Sequence, residues 1–294
     1  MSPQDRYIPG VPCWVDSTQP DPKAAVDFYG GLFGWEFYDV MPADGTIRYF
    51  VARLGGGDVA AVGSQPEGAS GDAVWNTYVW VEDADETAAK VRAAGGTVVM
   101  EPDDVGDSGR MAIFADPSGA AFSVWQAKEH RGAAVVNEPG SLNFNVLNTR
   151  DLDGAKSFYG AVFGWELIDV GGGFSAWALP AYGDFLEQRN PGMRQGMREM
   201  GAPDRFEEVV ASASPIPADQ PDVPAHWGVT FAVDDADAAA AKATELGGNV
   251  VVPPFDAPWV RMTIITDPQG ATFTASKFVP ENKDLAESAS TSAR

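Results

Sequence analysis

The hydrophobic and polar positions of this chain repeat one pattern four times. Four stretches alternate apolar and polar residues as β-strands do, and each is followed by an aspartate that can cap a helix. Four helical stretches come next, and each closes on a glycine, as helix C-termini often do. The predicted strands are 11–17, 76–81, 142–147 and 228–233, and the predicted helices are 22–33, 84–94, 152–163 and 236–246. Three further strands after each helix complete a βαβββ module.

Direct repeats show that the modules are copies of one another. The first repeat is identical at 11 of 20 positions without a gap, and both of its copies contain FYxxxFGWE. A later repeat contains an Asp-Pro-x-Gly turn in both copies. The matching segments are 21–40 with 151–170, 75–96 with 227–248, and 110–122 with 261–273. The chain is therefore a duplication with the module order A-B-A′-B′.

The repeats divide the chain into two halves. We predict a first domain over residues 8–128, a linker over 129–140 and a second domain over 141–280. The four modules are 8–70, 74–128, 141–189 and 226–280, with an insertion at 190–225 and a disordered tail at 281–294. Methionines at spacings of four and three give the insertion a methionine-rich helical face, which suits either packing filler or a movable lid.

A doubled βαβββ module, FYxxxFGWE at a helix end and Asp-Pro-x-Gly before a last strand together resemble the vicinal oxygen chelate superfamily. This superfamily includes glyoxalase I, extradiol dioxygenases, and bleomycin- and fosfomycin-resistance proteins. The resemblance implies an α+β fold with two domains, each a curved mixed sheet around a cleft. Two-domain actinobacterial members are the most similar in style. They are often described as hydroxylase or glyoxalase-like, and some accompany antibiotic gene clusters.

The resemblance also implies where a metal would be bound, by a His early in the first strand and a Glu late in the last strand of each module. Glu187 is the carboxylate in a plausible place in the third module, and His226 precedes an expected position by two residues. The other implied positions hold Trp14, Asn76, Ser123, Phe144, Gly228 and Thr274. Because a divalent ion needs several anionic or imidazole donors, we expect no metal and no other cofactor.

Strand alternation indicates which side chains share the faces of these implied positions. An aromatic-walled cleft with few hydrogen-bonding groups suits a flat conjugated ligand, and Asp16 can meet an amine on it. Arg261 is alternatively paired with a structural carboxylate. The predicted ligand-binding residues are Trp14, Asp16, Asn76, Tyr78, Trp80, Ser123 and Trp125 in the first cleft, and Phe144, Trp177, His226, Trp259, Arg261 and Thr274 in the second.

Charge and composition narrow the partners. The chain has 42 acidic and 20 basic side chains, a net charge of −22, which argues against nucleic acid and anionic membranes. The same charge suits a cationic small molecule, and it also serves solubility. One cysteine and two histidines exclude a disulfide framework and a site built mainly from imidazoles. No apolar stretch has the length of a spanning helix, so we expect a cytoplasmic protein.

The sequence thus favours a metal-free binding protein for a hydrophobic aromatic natural product, such as an anthracycline-like or other polyketide antibiotic. Its role would be sequestration, self-resistance or support of a biosynthetic step beside an associated biosynthetic enzyme. The alternative is a glyoxalase-, dioxygenase- or hydroxylase-like enzyme (a lyase, isomerase or oxygenase) on a similar small substrate. In that case His226, Arg261, Glu187 or Asp16 would be the acid–base or orienting groups. A degenerate scaffold for protein contacts is a third possibility.

Overall fold

A computed structural model describes residues 6–66, 68, 71–171 and 174–285. In its first half, two βαβββ modules contribute eight strands and two helices. The strands are β1 (Pro12–Gln19), β2 (Glu36–Asp39), β3 (Tyr49–Leu54), β4 (Gly57–Ser64), β5 (Val74–Trp80), β6 (Thr97–Val105), β7 (Gly109–Ala115) and β8 (Ala121–Ala127). The helices are α1 (Pro22–Phe33) and α2 (Ala84–Ala93).

The second half repeats this arrangement and adds two helices. Its strands are β9 (Leu142–Thr149), β10 (Glu166–Asp169), β11 (Ser175–Ala178), β12 (Val209–Pro215), β13 (His226–Ala232), β14 (Asn249–Ala257), β15 (Val260–Thr266) and β16 (Thr272–Phe278). Its helices are α3 (Leu152–Phe163), α4 (Pro180–Arg189), α5 (Met193–Met200) and α6 (Ala236–Glu245). A short 3₁₀ turn, Pro280–Asp284, follows the last strand.

Each half forms one eight-stranded mixed sheet. The strand order is β2-β3-β4-β1-β5-β8-β7-β6 in the first sheet and β10-β11-β12-β9-β13-β16-β15-β14 in the second. The first strands of the two modules pair antiparallel at the centre, and each pairs in parallel with the last strand of its own module. The predicted α+β architecture of two paired-module domains is therefore confirmed.

The predicted insertion is placed wrongly at its C-terminal side. Strand β12 lies inside 190–225 and is the last strand of the third module, which therefore does not end at residue 189. The extra chain lies earlier, between β11 and β12, where α4 and α5 form a helical pair. The methionine-rich face falls on α5, where Met193 and Met197 are half-buried and Met200 is exposed.

The helix boundaries follow the predicted signals. Each of the four module helices begins after an aspartate whose side chain accepts hydrogen bonds from the first turn. These aspartates are Asp21, Asp83, Asp151 and Asp235. At the other end, α1 and α3 close on Gly34 and Gly164, both in the left-handed conformation that glycine adopts without strain.

The two sheets pack against each other through the faces that carry the module helices. One core joins the second and third modules, where the ring centroids of Phe122 and Phe158 are 6.1 Å apart. The other core joins the first and fourth modules, where the ring centroids of Phe33 and Phe231 are 5.1 Å apart. The modules that form a sheet are thus different from the modules that share a core, and this ties the halves together.

The repeated sequence motifs form these shared cores. Tyr29 of the first FYxxxFGWE copy donates a hydrogen bond to Asp267 of the Asp-Pro-x-Gly turn in the other half (2.9 Å), and Trp75 donates to Tyr29 (3.0 Å). The second copy repeats this, with Tyr159 bonded to Asp116 at 3.1 Å. Both tyrosines are fully buried, so each buried carboxyl of the turns has a partner across the interface.

The C-terminal residues of the described chain form a short turn. Residues 281–284, assigned to a disordered tail, belong to the closing 3₁₀ turn, and Leu285 is its C-cap. The rest of that tail lies outside the described residues. No helix among the residues described above is both long enough and apolar enough to cross a membrane.

Candidate functional site

Each sheet has one face that the module helices leave free. On β1 and β5 the side chains of Val15 and Val79 belong to the helix-bearing cores, so Trp14, Asp16 and Tyr78 point to the opposite face. We call the helix-free face of the first sheet the first cleft, and that of the second sheet the second cleft. The first cleft is lined by Trp14, Asp16, Tyr49, Asn76, Tyr78, Ser123 and Trp125.

Asp16 lies at the centre of the first cleft and is only 4% exposed. Its carboxylate accepts hydrogen bonds from Asn76 Nδ2 (2.9 Å), Tyr49 Oη (2.9 Å) and Tyr78 Oη (2.8 Å). Burial raises the pKa of Asp16, and the three hydrogen bonds, led by that of Asn76, oppose the rise. Within the described chain no ion pair neutralises this carboxylate. The cleft therefore contains a buried acid held by neutral donors.

The chain between the halves closes this cleft. We call residues 128–136 the cover segment, because after β8 they run back to the start of β1 and to β4. Ala133 N donates to Cys13 O (2.8 Å), and Ala134 N donates to Asp58 O (2.7 Å). The hydroxyl of Tyr7 adds a bond to Ala133 O (2.8 Å). The predicted linker is thus a built part of the first cleft.

His130 of the cover segment enters the first cleft. Its ring stands edge-on to Trp14 with the centroids 4.4 Å apart, and lies 5.7 Å from the ring of Trp125. The indole of Trp125 donates to the backbone oxygen of His130 (2.8 Å). The Nε2 atom of His130 is buried without a hydrogen-bond partner. Burial lowers the pKa of His130, so the imidazole favours its neutral form there.

Two glycines let the aromatic side chains lie flat on the first sheet. A Cβ on Gly63 would lie 2.9 Å from the ring of Tyr49, and a Cβ on Gly109 would lie 2.4 Å from the ring of Trp125. Neither separation is possible between real atoms without movement. The first cleft is therefore filled by its own side chains down to the backbone.

The second cleft replaces these residues at equivalent positions. Every large or charged side chain has a smaller or apolar counterpart, and only the serine becomes larger. In the order Trp14, Asp16, Asn76, Tyr78, Ser123 and Trp125, the counterparts are Phe144, Val146, Gly228, Thr230, Thr274 and Ser276. The second cleft is lined by these six residues together with Asn148, Met262 and Ile264.

Among the described residues, these substitutions leave the second cleft more exposed than the first. Phe144, Val146 and Thr274 are partly exposed, whereas Trp14 is 4% and Trp125 is 7% exposed. A Cβ on Gly228 would meet nothing nearer than 3.5 Å. In the described chain no segment equivalent to the cover segment crosses this face. Instead, the closing turn folds onto the β14–β15 hairpin through Val279 N, which donates to Trp259 O (2.7 Å).

Three predicted site residues lie outside the clefts. Trp177 is fully buried in the core between the halves, 5.5 Å from Tyr159, because its strand directs it to the helix-bearing face. Arg261 forms a bidentate ion pair with Asp237 of α6 (2.6 and 2.9 Å), so the structural pairing is the correct interpretation. Glu187 lies on a helix and not on a strand. Its carboxylate accepts from Gly192 N and Arg194 N at the start of α5.

The other predicted residues lie in or beside the clefts. His226 begins β13 on the helix-free side and is exposed at the rim of the second cleft, where Nδ1 lies 2.9 Å from Pro224 O. Trp259 occupies the tip of the β14–β15 hairpin with φ of 68° and stacks on Phe278, so it lies at the margin. Trp80 stacks on Tyr7 at 5.9 Å beside the cover segment.

A family model described as glyoxalase/bleomycin resistance protein/dioxygenase superfamily matches residues 14–124 and 141–274. The chain belongs to this superfamily. It is 40% identical over 96% of its length, and over the whole partner, to "Putative glyoxylase CFP32" of Mycobacterium tuberculosis. It is 36% identical to the "Anthracycline biosynthesis protein DnrV" of Streptomyces peucetius, covering 92% of this chain and 94% of that one. These two relatives are actinobacterial, and one of them is an anthracycline biosynthesis protein.

Solved structures of the superfamily share the fold at low identity. The Mn(II)-bound glyoxalase from Novosphingobium aromaticivorans matches with a TM-score of 0.57 at 17% identity, covering 92% of this chain and 83% of that one. The 2,3-dioxygenase LapB from Pseudomonas sp. KL28 matches with a TM-score of 0.58 at 15% identity, covering 92% and 93%. These similarities establish the architecture of two module pairs.

The residues at the implied metal positions do not fit a divalent cation. In the first cleft an indole, an amide and a hydroxyl occupy these positions, and in the second a phenyl ring, a glycine and a hydroxyl do. Such cations require several carboxylate or imidazole donors converging on one point. The described residues contain no group of three or more His, Cys, Asp and Glu side chains with that geometry.

Two residues of the first cleft are missing from the predicted site. Tyr49 begins β3 after a polar loop, and His130 lies in a polar linker, so neither has a strand pattern that assigns it to a face. Only pairing across the sheet brings Tyr49 to Asp16, which is 33 residues earlier. The sequence feature that points to Tyr49 is Gly63, which pairs with it. A glycine inside a strand leaves room for a large side chain from a neighbouring strand.

Proposed function

We propose that this protein binds a polycyclic aromatic natural product of the anthracycline type in its second cleft. The observation that carries the proposal is the more exposed floor of that cleft, which combines apolar and hydroxyl side chains, beside a first cleft that is already filled. Phe144, Val146 and Ile264 offer apolar surface, and β9, β13 and β16 lie side by side. Because neighbouring strands are about 4.8 Å apart, three of them span roughly 10 Å, a width suited to fused rings.

Polar groups of the second cleft match such a ligand as well. The hydroxyls of Thr230, Thr274 and Ser276 make no hydrogen bond within the described chain, although Thr230 and Ser276 are 7% and 5% exposed. Anthracycline-type ring systems carry hydroxyl and quinone oxygens at their edges, which pair with such groups. A few free polar groups in an apolar cleft are typical of small-molecule sites.

The role that follows is support of a biosynthetic step. The cleft would hold the ring system away from water and present it to an associated biosynthetic enzyme, or sequester it. Similarity over 92% of the chain to a protein of anthracycline biosynthesis supports this ligand class. The net charge of −22 disfavours a role at nucleic acids, which aromatic intercalating compounds otherwise bind.

Calorimetric titration with a neutral anthracyclinone, an aglycone without an amine, tests the proposal. We expect micromolar affinity for the wild type. Gly228→Phe places a ring over the open floor and should weaken binding roughly tenfold or more. Trp14→Phe alters only the first cleft and serves as the matched control, with affinity changed by no more than about twofold. Absence of binding by the wild type, or equal weakening in both variants, contradicts the proposal.

The position of His226 favours one second candidate, an enzyme acting on the same bound ligand. In the neutral imidazole, the contact with Pro224 O places the proton on Nδ1, because a carbonyl oxygen can only accept, and the Nε2 lone pair then lies free at the cleft rim. Such a group can take a proton from a substrate hydroxyl. Mass spectrometry of the ligand after incubation distinguishes the two functions. Conversion that His226→Ala abolishes while binding is retained supports the enzyme.

A further inference from the structure

The tip of the β14–β15 hairpin carries a tryptophan in a backbone conformation that usually belongs to glycine. Pro258 and Trp259 form the turn, and Trp259 has a φ of 68°. When proline comes first in such a turn and a positive φ second, the second residue is ordinarily glycine or asparagine, because a Cβ is strained there. The equivalent hairpin of the first half uses a glycine, Gly106, which has a φ of 51°. An indole is therefore held at this tip against the preference of the backbone.

Apolar side chains lead from this tip into the second cleft. Cross-strand pairing places Phe255 opposite Met262 and Val260 opposite Phe278. The ring of Trp259 is parallel to that of Phe278 within 2°, with the centroids 6.3 Å apart. Phe255 is 38% and Phe278 is 57% exposed. We call these five residues the aromatic mouth, and because Met262 also lines the second cleft, the two surfaces are continuous.

The charged residues of these strands point away from the aromatic mouth. Arg261 lies between Val260 and Met262, and its guanidinium pairs with Asp256 (3.2 Å) and with Asp237 of α6. Because successive side chains of a strand alternate between its faces, these ion pairs lie on the helix-bearing side. The mouth therefore presents apolar surface, which suits an uncharged aromatic ring.

The first sheet lacks this surface at the equivalent positions, all of which lie in the described chain. Asp103 and Ala127 stand where the second sheet has Phe255 and Phe278, as the cross-strand pairing shows. Neighbouring apolar side chains left exposed on one face mark a binding surface, whereas exposed apolar residues scattered singly do not. The aromatic mouth thus belongs only to the half whose cleft is more exposed.

The closing turn after β16 holds the aromatic mouth in place. Val279 N donates to Trp259 O (2.7 Å). The side-chain amide of Asn282 donates to Val260 O (3.0 Å) and to Asp256 Oδ1 (3.1 Å). A strained backbone persists only where its surroundings fix it, and such residues cluster at ligand-binding sites. A surface fixed in advance also loses little freedom when a ligand binds.

We propose that the aromatic mouth is a stacking subsite that selects extended ring systems for the second cleft. Phe278 lies four residues beyond Thr274 on β16, about 13 Å along the strand, with Ser276 between them. A system of several fused rings therefore reaches from the floor at Thr274 to the mouth, whereas a single ring does not. Offset or edge-on contact with Trp259 and Phe278 then adds to the binding. The inference rests on the proposed function and deepens it, because it names the residues that decide how long the bound ring system must be.

Calorimetric titration of Trp259→Asn with the neutral anthracyclinone tests the subsite. Asparagine accepts a positive φ, so this variant removes the indole without adding strain, and its affinity should fall about tenfold. Trp259→Phe retains a ring and should stay within about threefold of the wild type. Val105→Ala, at the equivalent hairpin of the first half, is the control and should change the affinity by no more than about twofold. Unchanged affinity in Trp259→Asn overturns the proposal.

The melting temperature separates a ligand contact from a structural role of the indole. We expect Trp259→Asn to melt within about 3 °C of the wild type, because relief of backbone strain offsets the lost contact with Phe278. A larger fall with unchanged affinity assigns Trp259 to the stability of the hairpin and overturns the proposal. A wild-type dimer in sedimentation that Trp259→Asn dissociates assigns the mouth to a second copy of the chain and overturns it as well.

The floor variant Gly228→Phe distinguishes failure of this subsite from failure of the proposed function. If Gly228→Phe weakens binding and Trp259→Asn does not, the second cleft is the binding site and the mouth is not part of it. If Trp259→Asn weakens binding and Gly228→Phe does not, the mouth contacts the ligand, and the proposed function of the floor is contradicted.

Discussion

The two clefts have the same strand order and equivalent pairings, yet the first is covered and the second is more exposed among the described residues. In the first, Trp14 and Trp125 lie over the sheet and the cover segment closes them in. In the second, Phe144 and Ser276 occupy the same positions and no described segment crosses them. Backbone topology therefore provides a cleft twice, and side-chain volume decides which copy has room for a large ligand.

The comparison also separates two kinds of polarity. The first cleft concentrates charge in a single buried acid, whereas the second has Val146 at the equivalent position and disperses its polarity over threonine and serine hydroxyls. Duplication has thus placed two different sets of polar groups on one architecture.

The largest difference between the clefts should appear when equivalent aromatic residues are truncated. Trp14→Ala empties a buried site and should lower the free energy of unfolding by about 3–5 kcal/mol. Phe144→Ala removes a partly exposed ring and should cost only about 1–2 kcal/mol. Urea unfolding of both variants measures the contrast. Equal losses would show that the first cleft is not packed as described.

Replacing a glycine by alanine, which adds a methyl group, should destabilise the first cleft and not the second. Gly109→Ala places a Cβ against Trp125 and should lower the free energy of unfolding by about 1–3 kcal/mol. Gly228→Ala meets only ordinary contacts and should change it by less than about 0.5 kcal/mol, or raise it, since alanine restricts the unfolded chain. Thermal unfolding monitored by circular dichroism checks both. Similar penalties would remove the distinction between a covered and an open floor.

The smallest effect concerns pH and Asp16. Its pKa is raised above the ordinary 3.8 by burial, so the folded protein holds this proton more strongly than the unfolded chain does. The contribution of the protonated Asp16 carboxyl to the free energy of unfolding is complete below pH 3.8. It is lost as the pH rises through the pKa of Asp16 in the folded protein. Asp16→Asn cannot ionise, so its stability relative to wild type should increase as the pH rises. The raised pKa of Asp116 is present in both proteins and cancels in the difference.

Urea unfolding of wild type and Asp16→Asn over a series of pH values gives this difference directly. Val146→Ala, at the equivalent position of the second cleft, is the control and should show a pH-independent difference from wild type. The stability of Asp16→Asn relative to wild type should rise with pH. If it stays constant or falls, the ionised carboxylate is not destabilised by burial.

Much of the fold could be predicted because its signals are local and repeated. Capping aspartates, closing glycines and the Asp-Pro-x-Gly turns act within a few residues, and duplication presents each signal more than once. Strand β12 was missed because VVASASP has small residues and weak alternation, and two extra helices separate it from β11. Its identity comes from pairing with β9, which is a long-range contact.

The sites were predicted only as far as strand alternation holds. It assigned Trp14, Asp16 and Tyr78 to one face, and the structure brings these three together. It could not assign Trp177, whose short strand lies between a turn and a helix, nor show that Arg261 reaches Asp237. His130 fills part of the first cleft because of the path that the chain takes after β8. The residue composition of that linker does not predict its path.

The most direct test of the contrast is a crystal structure of the protein with a neutral anthracyclinone bound. We expect the ring system over Phe144 and Gly228 in the second cleft, with its oxygens near Thr230 or Thr274, and His130 unmoved in the first. The ring system stacked on Trp14 with the cover segment displaced would contradict the account, because it would make the filled cleft, and not the open one, the site of the aromatic ligand.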